Sequence, residues 1–273
     1  MHVAFDFGIS NTDLAIFQRE STHFHTFPSD TKDLTKHQIE DILKRINISL
    51  DQVELIGVTG GKSSDLDDVI KNTPIEKINE IDAIGQGAKT LYGFKDESCL
   101  VVSAGTGTAC VNVQGDNFYH LGGIAVGGGM LEGLGHLLFN NGDGGEINHF
   151  AEKGLRGKLD FLIGDVVNKI GGLAPDLTAV NFGQAKIASA NTIENTSAAL
   201  CNMIGEVIGT VAYLNALLIG SKKVCFLGRT SYLSMVIHGI ENQLKLAGIE
   251  GQYSDKREYG NVIGVLDIIK NKR

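Results

Sequence analysis

The stretch MHVAFDFGISNTDLAIFQRE (Met1–Glu20) decides how the fold is read. A short apolar run ends at Asp6, a turn of small and polar residues follows, and a second apolar run, DLAIF, returns. Length and alternation predict two strands joined by a turn. An ordinary hairpin needs no carboxylate at the strand end. A phosphate-binding turn with a metal beside it would use one: Gly8, Ser10, Asn11 and Thr12 can aim several N–H donors at one point, and Asp6 could hold Mg2+ directly or through water. On this stretch alone both readings stay open.

The same plan recurs in ESCLVVSAGTGTACVNVQ, where strand Leu100–Ser103 meets the turn SAGTGTA (Ser103–Ala109) and an apolar strand returns. Gly105 and Gly107 permit close backbone approach, and Thr106 and Thr108 offer hydroxyls. No GKS or GKT follows the glycines, so this is not a P-loop. Its place between two strands argues against a dinucleotide fingerprint. The glycines Gly127–Gly129 precede a helix that opens with Met130, Leu131 and Glu132. Such a helix start attracts phosphate or lets an adenine ring lie flat on the backbone. LGRTS (Leu227–Ser231) is a fourth glycine turn of this kind. Four in one chain favour a ligand over four coincident hairpins. The repeated device predicts two lobes of related topology, residues 1–97 and 98–273.

The totals agree. The chain has 273 residues, 42% hydrophobic and 21% charged, enough for a sizeable core in one large domain or two lobes. Its 35 glycines are clustered, and its net charge of −8 leaves no dense Lys/Arg block for a nucleic-acid footprint. A bound phosphate would therefore be held by backbone N–H groups. Cys99, Cys110, Cys201 and Cys225 are widely spaced and read as buried, reduced thiols of a cytoplasmic protein; an iron–sulfur role bridged across a dimer is the other reading. No secretory signal precedes the first strand. The segment VIGTVAYLNALLIG (Val207–Gly220) falls short of the roughly 20 residues a membrane span needs and reads as a buried helix of a soluble protein.

Elsewhere STHFHTF and VELIGVTGGKSS read as strands, the second entering a glycine turn. Leu34–Ile48, Glu80–Gly93, Leu159–Ile170 and the nearly all-apolar Asn195–Ile219 read as helices. Gly142–Lys158 is polar and loosely patterned. KKVCFLGRTSYLS gives strand, turn and helix start, and GQYSD and YGNVIGVLDIIK close with a strand and a helix. Glu80 stands where a strand-like run meets a helix. An acid there satisfies the helix dipole, or it lies beside an acceptor hydroxyl whose proton it takes. No histidine pair has metal-ligand spacing.

Taken together, FDFGIS, NEIDAIGQG, SAGTGTA, LGGIAVGGGMLEGLGHLL, LTAVNFGQ, IGEVIGTVA and GNVIGVL resemble the type II pantothenate kinases, within the superfamily of acetate and sugar kinases, heat-shock ATPases and actin. The likeness runs nearly end to end, and GGGMLEGLGHLL is its most specific part. It implies an α/β, two-lobed actin-like ATPase (ribonuclease-H-like) fold with a mixed sheet in each lobe and Mg2+-ATP bound between the lobes. It implies a first phosphate turn of Asp6, Phe7, Gly8, Ile9, Ser10, Asn11, Thr12 and Asp13, with Asp6 at the metal. The second turn would be Gly105, Thr106 and Gly107. ATP would further be held by Gly128, Gly129, Met130, Leu131 and Glu132 and by Gly228, Arg229 and Thr230. Glu80 matches the catalytic acid that acts as base on the pantothenate hydroxyl, and Thr108, Ala109 and His120 fall on the substrate side. The family's enzymes are dimers, and helix 195–219 would lie in the interface.

Three departures qualify the likeness. Gly-Thr of the family's first turn is Ile9-Ser10, and Asp13 stands in place of a following lysine; an anion there should repel ATP unless a cation compensates. His120 replaces an arginine that would grip a carboxylate bidentately. Ala109 replaces a serine. The alternatives to a pantothenate kinase are a divergent relative that binds nucleotide or a coenzyme A precursor with little turnover, a kinase for another small alcohol, and an ATPase activator using interfacial cysteines.

Overall fold

The computed structural model describes residues 1–29, 35–61, 63–94, 98–167, 174–186 and 188–272. Leu34 and residues 168–170 of two predicted helices, Lys62 of the VELIGVTGGKSS stretch and the 97/98 lobe boundary at Glu97 lie outside the described residues. In chain order the elements are strands β1 (His2–Phe7), β2 (Asn11–Gln18) and β3 (Ser21–Pro28), helix α1 (Lys36–Arg45), strands β4 (Leu55–Thr59), β5 (Val69–Ile70) and β6 (Thr73–Lys77) and helix α2 (Glu80–Tyr92). There follow β7 (Cys99–Ala104), β8 (Thr108–Gln114), β9 (Asn117–Ile124), α3 (Gly128–Phe139), α4 (Gly144–Ala151), β10 (Phe161–Leu162), α5 (Ile163–Val166) and β11 (Thr178–Val180). The long α6 (Ile193–Ile219), β12 (Lys223–Leu227), α7 (Ser234–Leu246), β13 (Glu250–Gln252) and α8 (Gly260–Asn271) complete the chain. Two compact units result: residues 1–101, 111–121 and 253–273 form one, and residues 102–110 and 122–252 the other.

The first unit is built on a mixed sheet of order β3-β2-β1-β4-β6-β5. β1 pairs antiparallel with β2 and parallel with β4. Alternation sends Val3, Phe5, Phe7, Leu14, Ile16, Ile56 and Val58 to one face, where they meet Ile39, Ile42 and Leu43 of α1. The other face carries Ala4 and Ala15, which pack with Ala83 of α2 and with Val262, Val265, Leu266 and Ile269 of α8. Ala15, Ala4 and Gly57 lie in register across three strands. This row of small residues admits α8: a Cβ on Gly57 would stand 2.6 Å from Val265 and 3.0 Å from Ile269. Two residues further along the strands, on the same face, the in-register row reads Thr26, Asp13, Asp6, Thr59. An apolar floor under α8 thus gives way to a polar row at the helix's N-terminal end.

In the second unit α6 packs against α7 and α4. Gly205 and Gly209 of α6 face Gly239 and Ile240 of α7 so closely that a Cβ at Gly209 would come within 2.8 Å of the Ile240 carbonyl oxygen. By length and composition α6 is long enough to cross a membrane, which corrects the shorter span expected of Val207–Gly220. In this fold it is instead an internal helix along much of its length, carrying buried Asn202 and Glu206. A five-stranded sheet has the order β13-β12-β7-β8-β9, and its neighbours β7 and β8 are the strands expected on either side of the SAGTGTA turn.

Two expectations are corrected. Leu159–Ile170 is not one helix: it holds the two-residue β10, paired antiparallel with β11, and the four-residue α5. Buried Asp160 accepts the Phe182 N–H at 2.8 Å and so ties the segment sideways. Conversely, polar Gly142–Lys158 contains α4, capped by Asp143 accepting from the Glu146 N–H at 2.8 Å. The D-x-x-E spacing was its signal, hidden by Gly142, Gly144 and Gly145. Around Asp160 lies a polar knot. The Thr178 hydroxyl accepts from Arg156 (2.8 Å) and Asn202 (3.2 Å) and donates to Glu206 (2.6 Å). Burial, with the Glu206 charge assisting against Arg156 and the Phe182 N–H, pushes the Asp160 carboxyl up to about 6.

Candidate active site

The first turn, Gly8–Ser10, caps the edge of the polar row. Ser29, just past β3, grips it: its hydroxyl donates to the Gly8 carbonyl (2.7 Å) and its N–H to the Ser10 carbonyl (3.0 Å). In a trans peptide the N–H points opposite to the carbonyl, so the Ile9 N–H faces away from Ser29. Thr12 is buried and its hydroxyl meets that of Ser29 at 3.1 Å. Phe7 is a core residue stacked on Phe5. These two therefore shape the turn without presenting side chains to a ligand.

Asp6 is held from two sides. Asn261, at the start of α8, donates to its Oδ2 at 3.1 Å. The Gly60–Gly61 turn after β4 lies against its Oδ1, where a Cβ on Gly60 would stand 2.5 Å away; Gly60 also has a left-handed φ of +76°. Asp13, only 4% exposed, accepts from the Thr26 hydroxyl at 2.8 Å. Asn261, Thr26, Ser29 and Gly60 were missed at the sequence level. Only the TGG after β4 and the YGN opening α8 hinted at them.

Glu80 is exposed in the first turn of α2, whose cap Asn79 accepts from the Ile81 N–H at 2.8 Å. β9 runs back along this helix: Asp116 pairs with Lys89, and the Phe118 ring covers Gly85. His120, two residues further along β9, is exposed, as Glu80 is.

In the second unit three glycine turns form one knot of backbone. The Gly105 carbonyl accepts from the Gly128 N–H (2.8 Å) and from the Thr230 hydroxyl (2.8 Å), and the Thr106 carbonyl accepts from the Gly129 N–H (3.0 Å). Gly127 passes so near that a Cβ would lie 2.7 Å from both carbonyl oxygens. Gly228, with φ +86°, fits under the Ala104 carbonyl. The N–H groups of Gly128 and Gly129 are therefore bonded within the protein. These glycines serve close packing. Leu131 and Thr230 are buried, and the Thr108 hydroxyl donates to the Val126 carbonyl at 2.7 Å, so it does not face a substrate as expected. Ala109 is half-buried beside it, Arg229 is half-buried, and Met130 is exposed. Glu132 is exposed; partial removal of water and the nearby Asp143 charge raise its carboxyl, against the Gly144 N–H. Gly105 and Gly107 differ from the rest: a Cβ on Gly105 would meet nothing within 4 Å. The backbone face at Gly105 is open space.

All four cysteines are free and buried. Burial pushes the Cys110 thiol up to about 11 and the Cys201 thiol up to about 12. Among the described residues no group of three His, Cys, Asp or Glu forms a metal cluster.

The sequence matches the Fumble family over residues 97–238. A type II pantothenate kinase of Staphylococcus epidermidis is 30% identical over 223 residues, 79% of this chain and 84% of that protein. The chain belongs to the type II pantothenate kinase family. Its likeness to the family's Staphylococcus aureus enzyme is 28% over 277 residues, 99% of this chain and all of the relative. The fold extends further. The Clostridium difficile activator of 2-hydroxyisocaproyl-CoA dehydratase, with bound ADPNP, superposes with a TM-score of 0.66 at 13% identity over 97% of this chain and 92% of the other. A Streptomyces griseus ROK-family glucokinase, in complex with glucose and AMPPNP, gives 0.56 at 12% over 97% and 98%. As the resemblance implies, the family member has the actin-like ATPase fold with mixed sheets.

Proposed function

We propose that this protein is an ATP-dependent kinase that phosphorylates the hydroxyl of pantothenate, the first step of coenzyme A synthesis. The observation that carries the reading is the match over essentially the whole of both chains to a type II pantothenate kinase. The placement of residues supports it. The Ile9 N–H, turned away from Ser29, suits a phosphate oxygen. Oxygen donors at Asp6 fit a hard cation such as Mg2+, which when bound would neutralise phosphate charge. Glu80 orients the acceptor hydroxyl and takes its proton as the γ-phosphoryl group passes to that oxygen and ADP leaves. His120, exposed on β9, would face the acceptor's carboxylate. The exposed Leu214, Leu217 and Leu218 of α6 support a homodimer through that helix; the same reading makes the protein a cytoplasmic enzyme without nucleic-acid or membrane partners.

Coupled assay of ADP release tests this. Turnover should depend on pantothenate, and Glu80→Gln should lower kcat by about 10²–10⁴-fold while the melting temperature holds, because Glu80 is exposed. Asp13, His120 and Ala109 favour the rival reading of a divergent relative. Saturable nucleotide binding with no turnover of pantothenate would establish that rival, and turnover of another alcohol in a panel would reassign the acceptor.

A further inference from the structure

We infer that the buried polar knot around Thr178 is a binding site for one monovalent alkali cation, Na+ or K+, held by oxygens of Asp160, Asn181 and Asn202. The site lies wholly in the second unit and does not depend on the nucleotide reading.

Three segments meet there: residues 156–160, residues 178–182 and one turn of α6. Asn202 and Glu206, four residues apart, share a helix face. The Thr178 hydroxyl donates its one proton to Glu206 (2.6 Å), so toward Asn202 (3.2 Å) it can only accept. The Asn202 carboxamide must therefore turn its nitrogen to Thr178. Asn181 likewise turns its nitrogen, at 3.2 Å, to the carboxylate of Glu206, which only accepts. Both carboxamides are thus fixed with their oxygens left over. Neither oxygen has a hydrogen-bond partner, and nor has Asp160 Oδ2, which Arg156 Nη1 approaches only to 3.6 Å. All three atoms are buried; Asp160 is fully enclosed and Asn202 is 2% exposed. The Thr178 hydroxyl ties the groups together. Asn202 and Arg156 both contact it, Arg156 extends to Asp160, and Asn181 shares Glu206 with it.

The knot has too many acceptors and too much negative charge. Among the described residues, the carboxylates of Asp160 and Glu206 are set against one guanidinium, Arg156, which also donates to Thr178 and to the Asp176 carbonyl. Leaving a buried acceptor unsatisfied is unfavourable by about 1–3 kcal/mol. One water brings two O–H donors to three orphan oxygens, and no water cancels the remaining charge. A cation answers both needs. An all-oxygen donor set suits a hard ion, and a single excess charge suits a monovalent one, since a divalent ion would leave positive charge buried. Two of the three donors are carboxamides, so no trio of acids marks the place.

Thermal unfolding of the full chain at pH 8 tests the site, in NaCl, KCl or tetramethylammonium chloride at equal concentration. Tetramethylammonium matches the ionic strength but has no bare charge for the oxygens to approach. Na+ or K+ should raise the melting temperature by about 3 °C at ten times its dissociation constant, with a shift that grows as the logarithm of concentration. The ion with the larger shift is the occupant. Asp160→Asn, which removes the excess charge, should abolish the difference between salts, and Asn202→Leu, which removes one orphan oxygen, should at least halve it. Circular dichroism checks that each variant folds. Equal melting temperatures of the wild type in all three salts overturn the inference and leave water in the knot. A salt difference that persists undiminished in Asp160→Asn puts the ion elsewhere and overturns it too. If that variant does not fold, Asn202→Leu decides, and an undiminished difference there overturns it.

Discussion

The turn at Gly8–Ser10 is held by side chains, whereas the turn at Gly105–Thr108 is held mainly by backbone. In the first, the grip comes from the Ser29 hydroxyl and its N–H, with Asn261 and Thr26 fixing the flanking acids. In the second, two amides of α3 bond to carbonyls of the turn, and Gly127 and Gly228 approach where no side chain fits. Backbone bracing demands glycine at particular places and tolerates little else. Side-chain bracing asks for a donor of the right reach, which several residue types supply. The two designs should therefore fail differently.

Gly228→Ala should do the most damage. It forces a non-glycine residue to φ +86° and drives a Cβ into the Ala104 carbonyl, together about 3–5 kcal/mol. Chemical denaturation should show that loss, and a drop under 1 kcal/mol would mean the backbone knot is softer than its geometry.

The second unit also contains a side-chain-held region, the knot at Asp160, and pH separates it from the backbone knot. A carboxyl raised to about 6 in the fold, against about 3.9 unfolded, binds more protons folded than unfolded between those values. Its contribution is favourable at low pH and is lost as pH rises from about 4 to about 6, by at most about 3 kcal/mol. Asp160→Asn should flatten the difference in stability between pH 5 and pH 7; the same slope in both proteins would remove Asp160 as its source.

Gly105→Ala sharpens the contrast with Gly228. Its Cβ meets open space, so stability should hold or rise by a few tenths of a kcal/mol, while the KM for ATP rises about tenfold, or about 1.4 kcal/mol. Unchanged kinetics would place the nucleotide elsewhere. Ser29→Ala should be mildest, removing one hydroxyl hydrogen bond worth about 1 kcal/mol and raising the ATP KM about fivefold without changing the acceptor's KM.

The same contrast explains what the sequence disclosed. SAGTGTA, GGG and LGRTS were legible because backbone crowding leaves glycine no substitute. At Gly128 and Gly129 sequence does not separate roles, since a glycine that packs and a glycine that bares an amide look alike there. Asp6 and Glu80 were visible as acids at element ends. Ser29, Thr26, Thr59 and Asn261 were not: they reach the turn through strand register and through a helix more than two hundred residues from Asp6, which local pattern does not encode. The failed helix at Leu159–Ile170 has the same origin, because Asp160 accepts from the N–H of Phe182, 22 residues away.

The row Ala15–Ala4–Gly57, on which α8 rests, has a consequence for biosynthesis. The opening strands emerge from the ribosome first, yet their apolar covering is translated only after the whole second unit. Until then the nascent β-sheet exposes one greasy side, and Asp6 lacks its amide partner. Catalytic competence should thus arrive only at the close of synthesis, and polypeptides released before residue 260 should be substrates for chaperones and proteases rather than partially active enzymes.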